Sequence, residues 1–211
     1  MRTVAALLAL ALGWIAWRHY TTPIVHAPGV LIAAEPAQIE MRPGESAITH
    51  GDFRLQPLAR FSLDARLLHA RRYRWDRGAD LAPIDLAVGW GPMSDQAVLD
   101  RLKISQSMRF YWYEYQLPPP IPREEIVRHS TNLHVIPRNH EVAKACAGLR
   151  VGELVRLEGV LVEATGPKVT TWRSSLRRDD EGNGACELFL VEAVTKLDPE
   201  NIRASARLVS R

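Results

Sequence analysis

The stretch that most constrains this chain runs from Leu154 to Val194, LVRLEGVLVEATGPKVTTWRSSLRRDDEGNGACELFLVEAV, and reads as three strands joined by two tight turns. Val155 and Leu157 alternate with Arg156 and Glu158, and beyond Gly159 the apolar positions are Val160 and Val162, so the glycine marks a change of phase and an expected β-bulge. A kink there lets one strand serve two faces of a curled sheet, as a small closed or half-closed barrel requires. Thr165 to Lys168 supplies the first turn, and Trp172, Ser174 and Leu176 alternate with Arg173, Ser175 and Arg177 on the second strand. The loop Asp179 to Gly184 ends in Asn-Gly, a strong hairpin signal, and the third strand, Cys186 to Val194, is apolar on both faces except at Glu187 and Glu192. That strand is expected to be central.

Upstream lie further elements of the same kind. Phe61, Leu63, Ala65 and Leu67 alternate with Arg60, Ser62, Asp64 and Arg66, a period of two with one wet face. Gly29 to Glu40 predicts one or two short strands broken at Pro36, and Ile84 to Trp90 predicts another, ended by Gly91-Pro92. Ser94 is placed to cap a short helix from Asp95 to Lys103, with Asp95 in the first turn. Pro122 opens a helix through His129, Asn132 to Pro137 reads as a strand or loop, and Asn139 to Ala147 forms a helix that stops at Gly148. The fold class expected is α+β: a predominantly antiparallel sheet with short helices, ending in a barrel-like meander over 154–197.

The N-terminus predicts where this body resides. Val4 to Trp17 is an uninterrupted apolar run of 14 residues behind Arg2, closed by Arg18. As a helix it covers about 21 Å, short of a hydrocarbon core of roughly 30 Å. That length matches the apolar region of a signal peptide, yet the small-residue sites for cleavage are badly placed. With Trp14 and Trp17 where interfacial aromatics belong, an uncleaved, slightly short anchor over residues 1–20 is preferred to a cleaved signal and to a buried helix. No Lys or Arg occurs from His19 to Met41, which favours export of the globular part, residues 30–211, behind a linker at 21–29. The expectation is therefore a single-pass protein of the cell membrane with its domain on the periplasmic or extracellular side.

Two cysteines, Cys146 and Cys186, suit an oxidising compartment, and one disulfide between them would contribute about 4 kcal/mol in the chain-entropy model; two unrelated buried thiols are the alternative. A formal charge of +3 on 211 residues is only a mild bias toward acidic partners. Arg71, Arg72, Arg74 and Arg77 are interleaved with Tyr73 and Trp75, a composition suited to nucleic acid or anionic head groups, or to a solvated turn. Export disfavours nucleic acid and leaves the phospholipid surface.

Arg109 to Leu117, RFYWYEYQL, is the richest aromatic run; on a strand Tyr111, Tyr113 and Tyr115 share one face and offer a stacking platform, unless a loop or helix covers them. Three histidines, His129, His134 and His140, with Cys146 have metal-ligand character but neither a zincin's nor a paired-cysteine spacing, so no metal site is expected. The DDEGNG turn lacks a carboxylate at the twelfth position of a calcium loop, where Leu190 stands. Dinucleotide, phosphate-loop and Gly-x-Ser-x-Gly motifs are missing, and no cofactor is implied.

The segments WDRGADLAPIDLAVGWGPMS from Trp75, RHSTNLHVIP from Arg128 and DDEGNGACE from Asp179 resemble a group of uncharacterised bacterial exported or membrane-anchored proteins. That resemblance covers most of the chain beyond the anchor and implies no activity. The terminal meander is similar to strands of an oligonucleotide/oligosaccharide-binding barrel, through Gly159 and the strand spacing, and this implies a fold without a function. The leading expectation is a non-enzymatic, membrane-tethered envelope protein that binds a partner protein or envelope component through Tyr111, Tyr113, Tyr115, Trp90, Arg72 and Arg74. An envelope hydrolase built on Ser130, His129 and His134, and an accessory subunit of a membrane complex, are the alternatives.

Overall fold

The computed structural model describes residues 10–15, 17–18, 21–42, 44–177, 186–200 and 202. The order is β1 (Ala37–Glu40), β2 (Ile48–His50), β3 (Phe53–Arg72), β4 (Ile84–Gly89), α1 (Gln96–Leu99), β5 (Lys103–Ser107), β6 (Phe110–Glu114), α2 (Arg123–Arg128), β7 (Ser130–Pro137), α3 (His140–Ala147), β8 (Leu154–Gly166), β9 (Val169–Arg173) and β10 (Glu187–Leu197). This is a mixed α+β architecture: a mostly antiparallel eight-stranded sheet with few, short helices and a separate β5–β6 hairpin.

Within the large sheet, β3 pairs with β4, β4 with β7, β7 with β10, β10 with β8, and β8 again with β3. Those pairings complete a ring. The β7–β10 contact is parallel, and the rest of the ring is antiparallel.

The 20-residue β3 spans this ring because its register slips twice. A shift between Pro57 and Ala59 against β8, and another between Leu67 and His69 against β4, each turn the inward set over. Phe53 and Leu55 consequently pack with Val160, Val162 and Leu190, whereas Ala59, Phe61, Leu63, Ala65 and Leu67 join the main core with Leu86, Leu133, Leu157 and Phe189. Val142, Cys146 and Leu149, on and just after α3, close one end of that core.

The terminal strands depart from a simple meander. Gly159 marks a bulge as expected, but the extra residue is Glu192 on β10, between Val191 and Ala193. Gly159 is required because a Cβ there would lie 2.0 Å from the Leu190 carbonyl oxygen. β8 keeps its phase through this point; beyond it both faces are buried, so the residues read as phase-shifted belong to a second covered face. β9 does not separate β8 from β10. It pairs with Glu163 to Gly166, at the end of the β8 edge that β10 occupies from Leu154 to Leu161. β10 lies between β7 and β8, central as expected. The Asp179–Gly184 turn lies outside the described residues.

Asp95, not Ser94, caps α1, its side chain accepting from the Ala97 amide. The Ser94 hydroxyl instead accepts from the amides of Leu31 and Ile32, each at 3.0 Å, and donates to the Gly91 carbonyl. Arg66, predicted on the wet face of β3, is buried. Its guanidinium donates to the carbonyls of Ser94 and Ile24 and to the Gln96 side chain, and burial lowers its pKa. The cover over Arg66 comes from residues 21–29, expected to be a linker, which lie along the body. The Ile24 amide donates to Val151 O at 2.8 Å, His26 Nε2 contacts Gly152 O at 2.7 Å, and the Gly29 amide donates to Asp95.

Of the expected anchor, the described residues 10–15 and 17–18 are helical, with Leu10, Leu12, Trp14, Ile15 and Trp17 exposed. Among the described residues no helix is long and apolar enough to cross a membrane.

Candidate functional site: a cationic, tryptophan-tipped loop above a buried ion cluster

The outer faces of β4 and β7 carry polar side chains that a soluble sheet would normally leave wet. Asp85 and His134 are cross-strand partners, as are Ala87 and Asn132. The β5–β6 hairpin lies over them, and Gln106 on β5 donates to Asn132 and pairs with His69 Nδ1 at 2.9 Å. Its turn, Met108–Arg109, adopts positive φ at both residues, 52° and 71°. A left-handed backbone at two consecutive non-glycine positions is costly, so it persists only where compensating contacts hold it.

Those contacts belong to Arg109. Its Nε and Nη2 bind Asp76 at 2.9 and 2.6 Å, and Nη1 binds Asp85 Oδ1 at 2.9 Å and the Ala82 carbonyl at 2.7 Å. The same guanidinium lies 3.8 Å from the centre of the Tyr73 ring and 5.7 Å from Trp172, while the Arg109 amide donates to the Tyr73 hydroxyl. A planar cation with five donors suits such a cage; an ammonium does not. Burial alone would raise the Asp76 carboxyl, but the Arg109 fork and the amides of Gly78 and Ala79 outweigh it and hold the group below its ordinary value. Asp85 is fully buried, with Oδ2 lacking a hydrogen-bond partner. His134 Nδ1 lies 3.0 Å from Asp85 Oδ1, off the line of a hydrogen bond, and its ring meets Trp172 at 4.8 Å.

This cluster fixes the β3–β4 loop from below, and the loop carries the arginine segment. Trp75 is 94% exposed, Met108 on the adjoining turn is 82% exposed, and Arg74 and Arg77 are exposed. Asp76 and Asp80, the acidic residues of the loop, are engaged by Arg109 and Lys168. Arg71 donates to the Gln106 carbonyl and Arg72 to the Ala147 carbonyl, so neither charge is neutralised by these bonds. The loop surface is a net cation with an apolar tip.

The expected contact residues separate accordingly. Arg72 and Arg74 belong to this surface. Trp90 does not: it is 1% exposed and sits in the main core. Tyr111, Tyr113 and Tyr115 share a face as predicted, but that face turns inward against Leu68, Ala87, Met93 and Ile126. Burial pushes Tyr111 well above the usual phenol range, the nearby Ser130 hydroxyl opposing this only in part. The hairpin folds its tyrosines onto the outer face of the sheet because Leu68, Ala87 and Met93 leave apolar surface there to cover. Trp75, the most exposed tryptophan of this surface, belongs to the arginine–aromatic segment that the sequence marks as suited to anionic head groups, and its 94% exposure is what the structure adds.

The hydrolase residues do not converge. Ser130 and His134 are four residues apart on one strand, about 13 Å at strand rise. Ser130 Oγ donates to Ile126 O, and His129 Nδ1 contacts the Glu125 carbonyl at 2.9 Å. Nor do His129, His134, His140 and Cys146 meet; among the described residues no group of three or more His, Cys, Asp or Glu is placed to hold a metal. Cys146 and Cys186 are not bridged. Cys146 is in the core with Leu133 and Val135, whereas Cys186 lies against Asn132, which points to the opposite face of β7.

Comparison with known proteins gives no family model, curated protein or solved structure that matches the chain.

Proposed function

We propose that this chain is a non-enzymatic envelope protein, tethered to the cell membrane by its N-terminal apolar segment. Its domain is exported, and the β3–β4 loop binds an envelope component or partner protein. The observation that carries the reading is Trp75, 94% exposed between Arg74 and Arg77, on a loop whose conformation is fixed by the Arg109 cage. A large apolar side chain held in water on a preorganised base is a contact residue in waiting. The exposed side chains of Leu10, Leu12, Trp14, Ile15 and Trp17 support the tether.

We further propose that the five-strand ring is a barrel of the oligonucleotide/oligosaccharide-binding type. In its favour stand the parallel β7–β10 contact, the helix α3 between β7 and β8, and a first strand shared by β4 and β8. In such barrels the face of the second and third strands takes the ligand. Here that face belongs to β4 and β7, and the β5–β6 hairpin and Arg109 fill it, which directs binding to the loop instead.

The test is a photo-activatable residue at position 75 of the full chain in its native cells, together with membrane fractionation. The reading expects the chain in the membrane fraction and adducts with envelope lipid or envelope protein. Adducts confined to cytosolic proteins contradict it.

A further inference from the structure

We infer that the β3–β4 loop is a second membrane contact, in which Trp75 enters the interface of the tethering bilayer while Arg74 and Arg77 bind anionic phospholipid head groups. This inference rests on the tether proposed above and names the envelope component that the loop meets.

Two hydrogen bonds place the loop and the tether on one side of the body. Arg150 Nη2 donates to the Thr22 carbonyl at 3.1 Å, and Arg72 Nη2 donates to the Ala147 carbonyl at 2.6 Å. Ala147 ends α3 and Arg150 lies three residues on, in the connection to β8, so their Cα atoms are separated by at most about 11 Å. The point where the N-terminal segment joins the body and the base of the arginine loop therefore converge on the same turn.

The tether is also short. The Thr22 amide still donates to the Arg18 carbonyl, a helical bond, and from Ile24 onward the chain is fastened to Val151, Gly152 and Gln96. Through Thr21, Thr22 and Ile24 the chain passes from bonds with the helical segment to bonds with the body, so a bilayer holding the former lies beside the latter. Trp75 follows Arg72 by three residues at that side.

The chemistry of the tip selects the occupant. An indole places an apolar body and one N–H at the head-group boundary, and arginine stems lie along acyl chains while their heads meet phosphate. Juxtamembrane arginines gain most from anionic lipid. Among the described residues Arg74 and Arg77 form no ion pair, while both loop carboxylates are already engaged, which leaves the cations to an external anion. Met108, beside Arg109 on the adjoining turn, adds a second exposed apolar side chain.

The test reconstitutes the full chain in vesicles of phosphatidylcholine, alone or mixed with phosphatidylglycerol, with plain or brominated acyl chains. The difference in fluorescence between wild type and Trp75→Phe isolates the Trp75 signal. The expected result is quenching of that signal by brominated chains when phosphatidylglycerol is present, and loss of the quenching in Arg74→Glu/Arg77→Glu. A Trp75 signal unaffected by bromination, in a chain that floats with the vesicles, overturns the loop contact and leaves the tether standing; a chain that floats with neither lipid overturns both.

Discussion

Arg109 grips Asp76 through two parallel hydrogen bonds, Nε to Oδ2 at 2.9 Å and Nη2 to Oδ1 at 2.6 Å, and so ties the hairpin turn to the β3–β4 loop. This grip holds the eleven residues between β3 and β4 as one surface.

Removing the grip leaves Asp85 buried without its nearest cation. Arg109→Ala is expected to destabilise the fold by about 3 kcal/mol, the lower end for breaking a buried ion pair, since Arg109 retains some exposure. Arg109→Lys recovers little, because an ammonium cannot occupy the Asp76 fork and stack on Tyr73 together. Urea unfolding of the three proteins checks both statements.

Acid acts at the same place. The folded Asp76 carboxyl lies below its ordinary value, so its contribution is complete above the unfolded pKa of about 3.9 and is lost as pH falls through the folded pKa. Stability measured against pH is expected to decline below about pH 4 in the wild type. Asp76→Asn lowers stability at neutral pH and flattens that acid limb; an unchanged limb in this variant assigns the acid transition to other carboxylates.

Two glycines test the ring and the strap separately. Gly159→Ala sets a Cβ 2.0 Å from a carbonyl at the β8–β10 bulge, and a loss of about 3 kcal/mol or more is expected, as overpacked backbone does not yield. Gly152 has φ +91°, and its Cβ would lie 2.1 Å from the Ile24 carbonyl oxygen. Gly152→Ala is expected to lift residues 24–26 from the body, read as faster hydrogen exchange at the Ile24 amide with the ring amides unchanged.

The thiols give a chemical check on the unbridged arrangement. Burial pushes the Cys146 thiol up to about 12, so at pH 8 it resists alkylation until the protein unfolds. Reductant is expected to leave the melting temperature unchanged, and mass spectrometry of native alkylated protein to show Cys146 unmodified. A reductant-dependent melting point contradicts the placement of Cys146 and Cys186 on opposite faces of β7.

Phe61 to Leu67 was legible because period-two alternation reports a half-buried strand, and the two-sided apolar run of β10 reports its central place; Ile84 to Gly89 was legible as a strand, but its alternation does not report that both of its faces are buried. α3 was equally plain, since Asn139 and Gly148 cap it by local chemistry. What alternation does not encode is which layer covers a face. Arg66 reads as solvated on β3 until residues 21–29 fold over it, and the tyrosines read as a platform until the hairpin turns them inward. Trp90 and Arg109 depend on contacts between segments distant in sequence, so neither role appears in a local window. The Arg74–Trp75 tip was visible as composition, but its exposure follows from Arg109 holding the loop out.

Depth in the bilayer tests the central claim most directly. In a Cys186→Ser background, with Cys146 unreactive, a nitroxide at position 77 or at position 39, exposed on the edge strand β1, reports its distance from the head-group plane of phosphatidylcholine/phosphatidylglycerol vesicles. The account predicts that position 77 lies at the head groups and position 39 in bulk water. Equal, water-exposed relaxation at both positions, or position 39 the nearer to lipid, contradicts it.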